Sequence, residues 1–285
     1  MRGYLAIVLS AILTSTIGIF VKLIGGNMPI MTLNFFRLAI GFLFIALIIP
    51  FLDKNFYKVS RKDIYIYILI GFFLALGISL FNAAMLYTSV ANVVLIGLSS
   101  SLFSVLLAKH ILKEKISKDM SVALVLAFIG LFIINSFNPD FKFGSLLAFI
   151  SALLFSIAVV YMRYEDKKHD IGTIFWFTGF ATLFLAPMPF IFGVGNLNKV
   201  LHLVIPFGLI TIGLAYIFLT YALEKLRIAA ISIIGVTIEP IAATLLAYLI
   251  LNEALTLRTI FGGMILVLSV IYLERKKLYH IKHLK

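Results

Sequence analysis

Two ionisable side chains lie deep inside apolar segments of this 285-residue sequence. A charge in such surroundings is energetically costly unless another group pairs with it or a function requires it. Arg37 stands about seven residues into one apolar run, roughly 10 Å from its end at the helical rise per residue. Glu239 stands about eleven residues into another run, near the middle of a membrane, if the run is a helix that spans one. Ionisable groups at such depths are costly and usually mark a binding site or a proton pathway. We therefore predict that Arg37 and Glu239 take part in substrate binding or gating.

Each of these charges also has a structural explanation. Arg37 can anchor its helix by reaching backbone carbonyls or the membrane surface. Glu239 precedes Pro240, which removes a backbone N–H and disfavours helical geometry in the residue before it, so we expect a helix irregularity there. A carboxylate at such a point can hold a cationic group or a proton, or it can form a structural pair with Arg37.

Uncharged polar and aromatic side chains in the apolar runs complete the predicted site. Asn34 lies one turn before Arg37 on the same helix face. These residue types also join neighbouring helices or sit at the membrane surface. The further candidates for substrate binding or gating are Asn34, Asn82, Ser100, Tyr161, Trp176, Tyr216, Thr220 and Thr237.

The elements that must position these residues are membrane-spanning helices. Apolar residues make up 62% of the chain and charged residues 13%, against roughly 45–50% and about 25% in soluble domains. This composition excludes a soluble globular protein, a disordered chain and a nucleic-acid binder. Lipid offers no partner to a free backbone group, so each span of about 20 residues must be helical. The predicted fold is an all-α polytopic membrane protein whose ten spans are Gly3–Ile24, Ile30–Leu52, Ile64–Tyr87, Ala91–Leu112, Met120–Phe137, Phe143–Arg163, Ile171–Gly193, Val200–Leu223, Ile228–Leu251 and Leu257–Leu273.

The distribution of lysine and arginine between the spans indicates the orientation of the chain. The two termini and every second gap together contain 18 lysine and arginine residues, whereas the opposite gaps contain only Lys142, Lys199 and Arg258. Basic residues favour the cytoplasmic side. We predict a multi-pass protein of the cell membrane with both termini in the cytoplasm. Lys22, near a helix end, is expected to contact lipid head groups.

The two halves of the sequence resemble each other. Placing Gly3 on Gly144 aligns their first helices, and placing Glu114 of ILKEKIS on Glu253 of ILNEALT aligns the ends of their fourth helices. Both glutamates are expected to cap or brace the helix that follows. Because each half has an odd number of spans, the second half must enter the membrane from the opposite side, and the charge bias of the gaps reverses accordingly.

This pattern predicts two inverted five-helix repeats, residues 1–138 and 139–285, within one membrane unit. A pseudo-two-fold axis in the membrane plane would relate them, with a substrate cavity near the midplane. We expect helices one to four and six to nine to line the cavity. The fifth and tenth helices, the least polar, are expected at the periphery.

The segment IGVTIEPIAATLLAYLILNEALTLRTIFGGMILVLSVIYL, residues 234–273, resembles the drug/metabolite transporter superfamily in its ten-helix EamA-like branch. The pattern consists of a proline in an apolar helix, a glutamate at its end and glycines in the last helix, here Pro240, Glu253 and Gly262. Residues 96–134 carry a weaker copy, and the resemblance covers nearly the whole chain. The resemblance implies a secondary transporter that moves small organic solutes (amino acids, metabolites or drugs), often out of the cell, by alternating access. It does not identify a particular substrate.

Other functions fit the sequence less well or remain as alternatives. A flippase or carrier for lipid-linked or nucleotide-linked sugars belongs to the same superfamily, and a passive channel would need a charge ring or a carbonyl filter. The chain has no cysteine, no P-loop and no intramembrane histidine, so we expect no enzyme activity, no catalytic residue, no cofactor and no metal. The expected partners are a small-molecule substrate and membrane lipid, without nucleic acid, in a monomer or a homodimer.

Overall fold

A computed structural model describes residues 2–52, 54, 56–111, 113, 118–134, 142–164, 171–226 and 228–283. Within these ranges the chain is helical, with no β-strand. Seven helical stretches are long and apolar enough to cross a membrane, and three shorter apolar helices correspond to the predicted fifth, ninth and tenth spans. The predicted class of an all-α polytopic membrane protein is confirmed. Glu114 and the predicted repeat boundary at 138/139 lie outside the described residues.

The helices form ten spans, which we number in chain order. Spans 1 to 5 are built from α1 (Arg2–Ser15) with α2 (Ile17–Ile24), α3 (Ile30–Leu52), α4 (Arg61–Tyr87), α5 (Val90–Gly97) with α6 (Ser99–Ile111), and α7 (Lys118–Ile134). Spans 6 to 10 are built from α8 (Lys142–Tyr164), α9 (Ile171–Leu185) with α10 (Met188–Phe192), α11 (Leu197–Gly208) joined by a π-helical segment (Leu209–Leu214) to α12 (Ala215–Lys225), α13 (Ile228–Leu251), and α14 (Leu257–His283).

The helix irregularities are not at Glu239 and Pro240, where the sequence predicts one. α13 runs through Pro240 without a break, because the missing N–H removes only one bond of a long helix. The observed irregularities are instead at Thr16 in span 1, at Leu98 in span 4 and in the π-helical segment of span 8. A π-helical segment inserts an extra residue into a turn and is frequent at functional sites.

The main contacts between the described spans recur in matching pairs when spans 1–5 exchange with spans 6–10. Span 3 packs against spans 6 and 7, and correspondingly span 8 packs against spans 1 and 2. Span 4 packs against span 6, and span 9 against span 1. Spans 2 and 7, 4 and 9, and 5 and 10 pack on each other.

Two sets of span ends meet at one end of the bundle. A Cβ on Gly3, at the start of span 1, would lie 3.0 Å from Cβ of Lys225 at the end of span 8. Trp176, near the start of span 7, donates its indole N–H to the carbonyl of Phe56 just after span 2, at 2.9 Å. We call this the amino-terminal end.

The remaining span ends meet on the other side. Lys22 of span 1 donates to the carbonyl of Thr88 after span 3, at 3.2 Å, and forms a 3.4 Å salt bridge with Glu253 after span 9. The backbone N–H of Asn196, before span 8, donates to the carbonyl of Asn27, before span 2, at 2.7 Å. We call this the opposite end. Successive helices that cross the membrane in alternating directions must have their ends in two such groups.

Spans 2 and 8 cross closely at Gly41, so we expect a side chain at this position to lower the stability of the protein. A Cβ at Gly41 would lie 2.3 Å from the Cβ of Ile212 and 3.0 Å from the carbonyl oxygen of Gly208. Neither atom can move without shifting its helix, so Gly41→Ala should destabilise the protein by about 1–3 kcal/mol. The matched control is Gly235→Ala in span 9, because nothing lies within 4 Å of a Cβ there. A thermal melt in detergent that gives the two variants equal melting temperatures would contradict the observed crossing.

Candidate functional site

A cavity of about 320 Å³ lies within the bundle, at the middle of several spans. Spans 1 to 4, 6, 8 and 9 contribute to its wall, and in the described part of the chain spans 5, 7 and 10 do not. Its polar lining consists of Thr14, Arg37, Ser100, Ser101, Thr211, Tyr216 and Glu239. The remaining wall is mostly apolar, with Ile17, Leu74, Ile78, Phe81, Val94, Leu98, Phe155 and Pro240.

Arg37 is held on one side of the cavity by groups from span 8. Its Nε donates to Oγ1 of Thr211 at 2.9 Å, and its guanidinium carbon lies 4.8 Å from the ring centroid of Phe207. The Thr211 hydroxyl in turn donates to the carbonyl of Phe207 at 2.6 Å. Thr211 belongs to the π-helical segment, so the local departure from α-helix presents its hydroxyl to the arginine. The guanidinium is thereby oriented by a hydrogen bond and a ring face, with only 4% of the residue exposed.

Glu239 contributes the negative charge of the cavity from span 9. The Thr14 hydroxyl of span 1 lines the same cavity but donates to the carbonyls of Ser10 and Ala11 in its own helix, both at 3.1 Å. The Glu239 carboxylate interacts electrostatically with Arg37. Among the described residues no salt bridge of 4.0 Å or less joins Glu239 to Arg37. The opposite charges therefore face one cavity without forming a direct ion pair.

Tyr216 and two serines extend the polar lining between these charges. Tyr216 of span 8 lines the cavity together with Arg37 and Glu239. Ser100 and Ser101 lie in the first turn of α6, directly after the break at Leu98. Four of the predicted site residues, the two charges with Ser100 and Tyr216, are thus brought together.

Three other predicted residues lie near this cavity but outside its lining. Thr220 is buried one turn beyond Tyr216 and donates to its carbonyl at 2.7 Å. Asn82 of span 3 donates its amide to Oδ1 of Asn34 in span 2 at 2.5 Å, and both side chains are fully buried. The amide nitrogen of Asn34 and the amide oxygen of Asn82 have no hydrogen-bond partner within the described residues.

The last three predicted residues lie elsewhere in the bundle. Trp176 binds the Phe56 carbonyl at the amino-terminal end, as described above. The Tyr161 ring stacks on Phe73 with centroids 6.3 Å apart. Thr237 lines a separate apolar crevice of about 530 Å³, which lies between spans 9 and 10 and shares Pro240 with the central cavity.

Thr14, Ser101 and Thr211 line the cavity but were not among the predicted site residues. The internal repeat contains a signal for one of them, because the alignment that places Glu114 on Glu253 also places Ser100 on Glu239 and Ser101 on Pro240. Thr211 has no comparable signal, since its exposure to the cavity depends on the π-helical segment.

The described residues contain no group of three or more histidine, aspartate or glutamate side chains placed to hold a metal ion. The chemistry available in the cavity is therefore recognition by one cation, one carboxylate, hydroxyl groups and an apolar wall. Such a set can bind and orient a small charged solute.

The chain matches known transporters over most of its length. The model of the EamA-like transporter family matches residues 1–136 and 142–274. An uncharacterized transporter from Archaeoglobus fulgidus is 28% identical, over 96% of this chain and 97% of that protein. An S-adenosylmethionine uptake transporter from Rickettsia prowazekii is 23% identical, over 98% and 95%. The pseudopaline exporter CntI from Pseudomonas aeruginosa is 26% identical, over 96% of both chains.

Proposed function

The chain belongs to the EamA-like transporter family, and on this premise we propose that it moves small solutes carrying both a carboxylate and a cationic group through the central cavity. Family membership makes the protein a membrane transporter of small solutes rather than an enzyme, as the sequence predicts. The observation that carries the finer proposal is the position of Arg37 and Glu239 in one cavity without a salt bridge between them.

Electrostatics explains why this arrangement favours a doubly charged solute. Two partly desolvated charges that do not pair with each other are costly unless a ligand or water neutralises them. A solute carboxylate would bind the Arg37 guanidinium, and a solute ammonium or sulfonium group would bind the Glu239 carboxylate. The cavity volume of about 320 Å³ is at the lower end of the range for small-molecule sites. Its apolar wall, which includes Phe81 and Phe155, suits an uncharged side chain of the solute.

The relatives support this chemistry. S-adenosylmethionine, named for the Rickettsia prowazekii protein, carries a carboxylate together with cationic groups. Sugar carriers of the same superfamily act on solutes without that combination, and a cavity with an unpaired arginine and glutamate fits them less well.

The proposed mechanism is alternating access between two inverted repeats, residues 1–138 and 139–285, without ATP. The exchange symmetry of the span contacts supports it. A backbone feature supports it as well: the two non-glycine residues with positive φ in the described chain are Lys113 (57°) and Asn252 (52°). These two positions coincide when Glu114 is aligned with Glu253.

The proposed orientation places the amino-terminal end in the cytoplasm, in agreement with the charge bias of the gaps. The proposed direction is outward, as the name of the Pseudomonas aeruginosa relative gives for that protein. The Rickettsia prowazekii relative is named for uptake, so net flux from right-side-out and inside-out vesicles is the measurement that decides the direction.

Counterflow in proteoliposomes tests the substrate class. Labelled methionine should accumulate in vesicles preloaded with unlabelled methionine, and unlabelled methionine outside should compete. Its decarboxylated amine and its deaminated acid, which each lack one charge, should compete at least about tenfold more weakly, since a charged hydrogen bond contributes about 1.5–3 kcal/mol. Equal competition by all three compounds would contradict the two-charge proposal.

The same vesicles separate the remaining alternatives. A passive channel would equilibrate the label without counterflow, and a sugar carrier would respond to a nucleotide sugar and not to methionine. Uptake that appears only after ATP is added would contradict secondary transport.

A further inference from the structure

We propose that Glu253 is the gating residue that holds the transport pathway closed at the opposite end, an inference that rests on the proposed alternating access. Its carboxylate joins two parts of the first half of the chain to the end of span 9. Opening the cavity toward that end requires these contacts to break.

Glu253 makes two different contacts with its two oxygens. Oε1 lies 3.4 Å from Nζ of Lys22, at the end of span 1. Oε2 accepts the backbone N–H of Val90 at 2.8 Å, at the first residue of α5 in span 4. A carboxylate is favourable at a helix amino terminus, where the backbone N–H groups have no partner in the helix. The expected role of Glu253 is thereby corrected, since it caps span 4 rather than the following helix, and Lys22 pairs with it.

The backbone conformation at the end of α13 positions the Glu253 carboxylate for these contacts. Asn252 adopts the left-handed conformation, with φ of 52°, directly after α13 ends at Leu251. The N–H of Glu253 then returns to the carbonyl of Ala247 at 3.2 Å. This bond spans six residues and, together with the left-handed Asn252, turns the chain back over the end of the helix.

A second contact ties the same two parts of the molecule together. The Thr259 hydroxyl, in the first turn of α14, donates to Oδ1 of Asn92 in α5 at 3.1 Å. Both side chains are buried. The start of span 4 is therefore held by the end of span 9 through Glu253 and by the start of span 10 through Thr259.

These contacts lie directly above the cavity on the same helices. Val94 and Leu98, about one and two turns beyond Val90 in span 4, line the cavity. Glu239 lies about four turns before Glu253 in span 9. Separation of spans 4 and 9 at the opposite end would therefore expose the cavity from that side.

The burial of the pair suits contacts that must break and re-form. The Lys22 and Glu253 side chains are 29% and 15% exposed, so the pair is neither fully solvated nor sealed in the core. A fully buried ion pair would be costly to break, whereas a partly exposed pair is weak enough to exchange with water.

The absence of cysteine from the chain provides a direct test. Ser101→Cys introduces one thiol into the cavity, and a charged, membrane-impermeant thiosulfonate reagent is added to intact cells. In the otherwise unchanged chain this thiol should be modified slowly. Glu253→Gln loses the charge but keeps an oxygen for the Val90 N–H, and it should raise the rate about fivefold. Glu253→Ala loses both contacts and should raise the rate further.

Three controls separate gating from misfolding and from orientation. Lys22→Arg keeps the positive charge and should keep the thiol protected, whereas Lys22→Gln should expose it. Asn198→Cys, at an exposed position in the first turn of α11 in span 8, at the opposite end, should react equally fast in every background. Melting temperatures in detergent should show that the variants fold.

The labelling requires no substrate, so its outcome is independent of the proposed substrate class. Unchanged modification of the Ser101→Cys thiol in folded Glu253→Gln, Glu253→Ala and Lys22→Gln variants would overturn the proposal. If Asn198→Cys does not react in intact cells, the opposite end faces the cytoplasm, and the same comparison on inside-out vesicles must show the faster modification of Ser101→Cys in the Glu253 and Lys22→Gln variants or the proposal is overturned.

Discussion

Glu239→Gln should reduce transport at least about tenfold while leaving the melting temperature nearly unchanged. Glutamine keeps the size of the side chain and its ability to form hydrogen bonds, but it removes the charge that would bind a cationic group. A hydrogen bond to a charged group contributes about 1.5–3 kcal/mol, which corresponds to roughly ten- to hundredfold in affinity. Initial rates of counterflow over a range of substrate concentrations measure the effect.

A control on the same helix shows whether the loss is specific to the cavity. Tyr248→Phe removes a hydroxyl from an exposed position of α13, 53% exposed, that does not line the cavity. It should transport normally. Normal transport by Glu239→Gln from about pH 5 to about pH 8, the range in which a proton-coupled carrier would respond, would defeat the functional role of this carboxylate.

Arg37→Lys should also reduce transport about tenfold or more, although it keeps the positive charge. Lysine cannot reproduce the planar guanidinium, which donates through Nε to Thr211 and lies over the Phe207 ring. Loss of a buried hydrogen bond and of a cation–π contact should also lower the free energy of unfolding by about 1–3 kcal/mol. Arg258→Lys, at an exposed position in the first turn of α14, is the matched control and should change neither quantity.

A double variant distinguishes a binding pair from a structural pair. If Arg37 and Glu239 stabilised the fold by pairing, neutralising one would leave a buried charge at a cost of about 3–5 kcal/mol, and Arg37→Gln with Glu239→Gln would recover that stability. Because no salt bridge joins them in the described structure, we expect the stability effects of the two changes to add. Clear recovery of the melting temperature in the double variant would show a structural pair.

The spans could be predicted from the sequence because each is defined by the length of its apolar run. Hydrocarbon requires about 20 apolar residues and a closed hydrogen-bond pattern, and these requirements leave helix as the solution. The charges of the site were identifiable for a related reason, since Arg37 and Glu239 stand out against apolar neighbours. Their shared cavity follows from packing and could be tested only on the structure.

The rotation of each helix could not be predicted. Helices that are apolar on all sides give no periodic signal for the face that meets the cavity. Thr14 and Thr211, which line the cavity, therefore could not be identified from the sequence. The hydrogen bond between Asn34 and Asn82, which joins spans 2 and 3 outside the lining, could not be predicted either. The position of Thr211 also depends on the π-helical segment. Pro206 stands three residues before this segment, but a proline in a helix does not by itself predict π-helical geometry.

The opposite charges of Arg37 and Glu239 also bear on the energy source for transport. Moving one elementary charge across a membrane potential of 100 mV requires or releases about 2.3 kcal/mol. A cavity that contains one positive and one negative side chain is electrically neutral when empty, and a zwitterionic cargo leaves it neutral when loaded. The membrane potential then drives neither the movement of the empty carrier nor that of the loaded carrier. The concentration gradient of the cargo therefore sets the direction of flux unless an ion is carried with it.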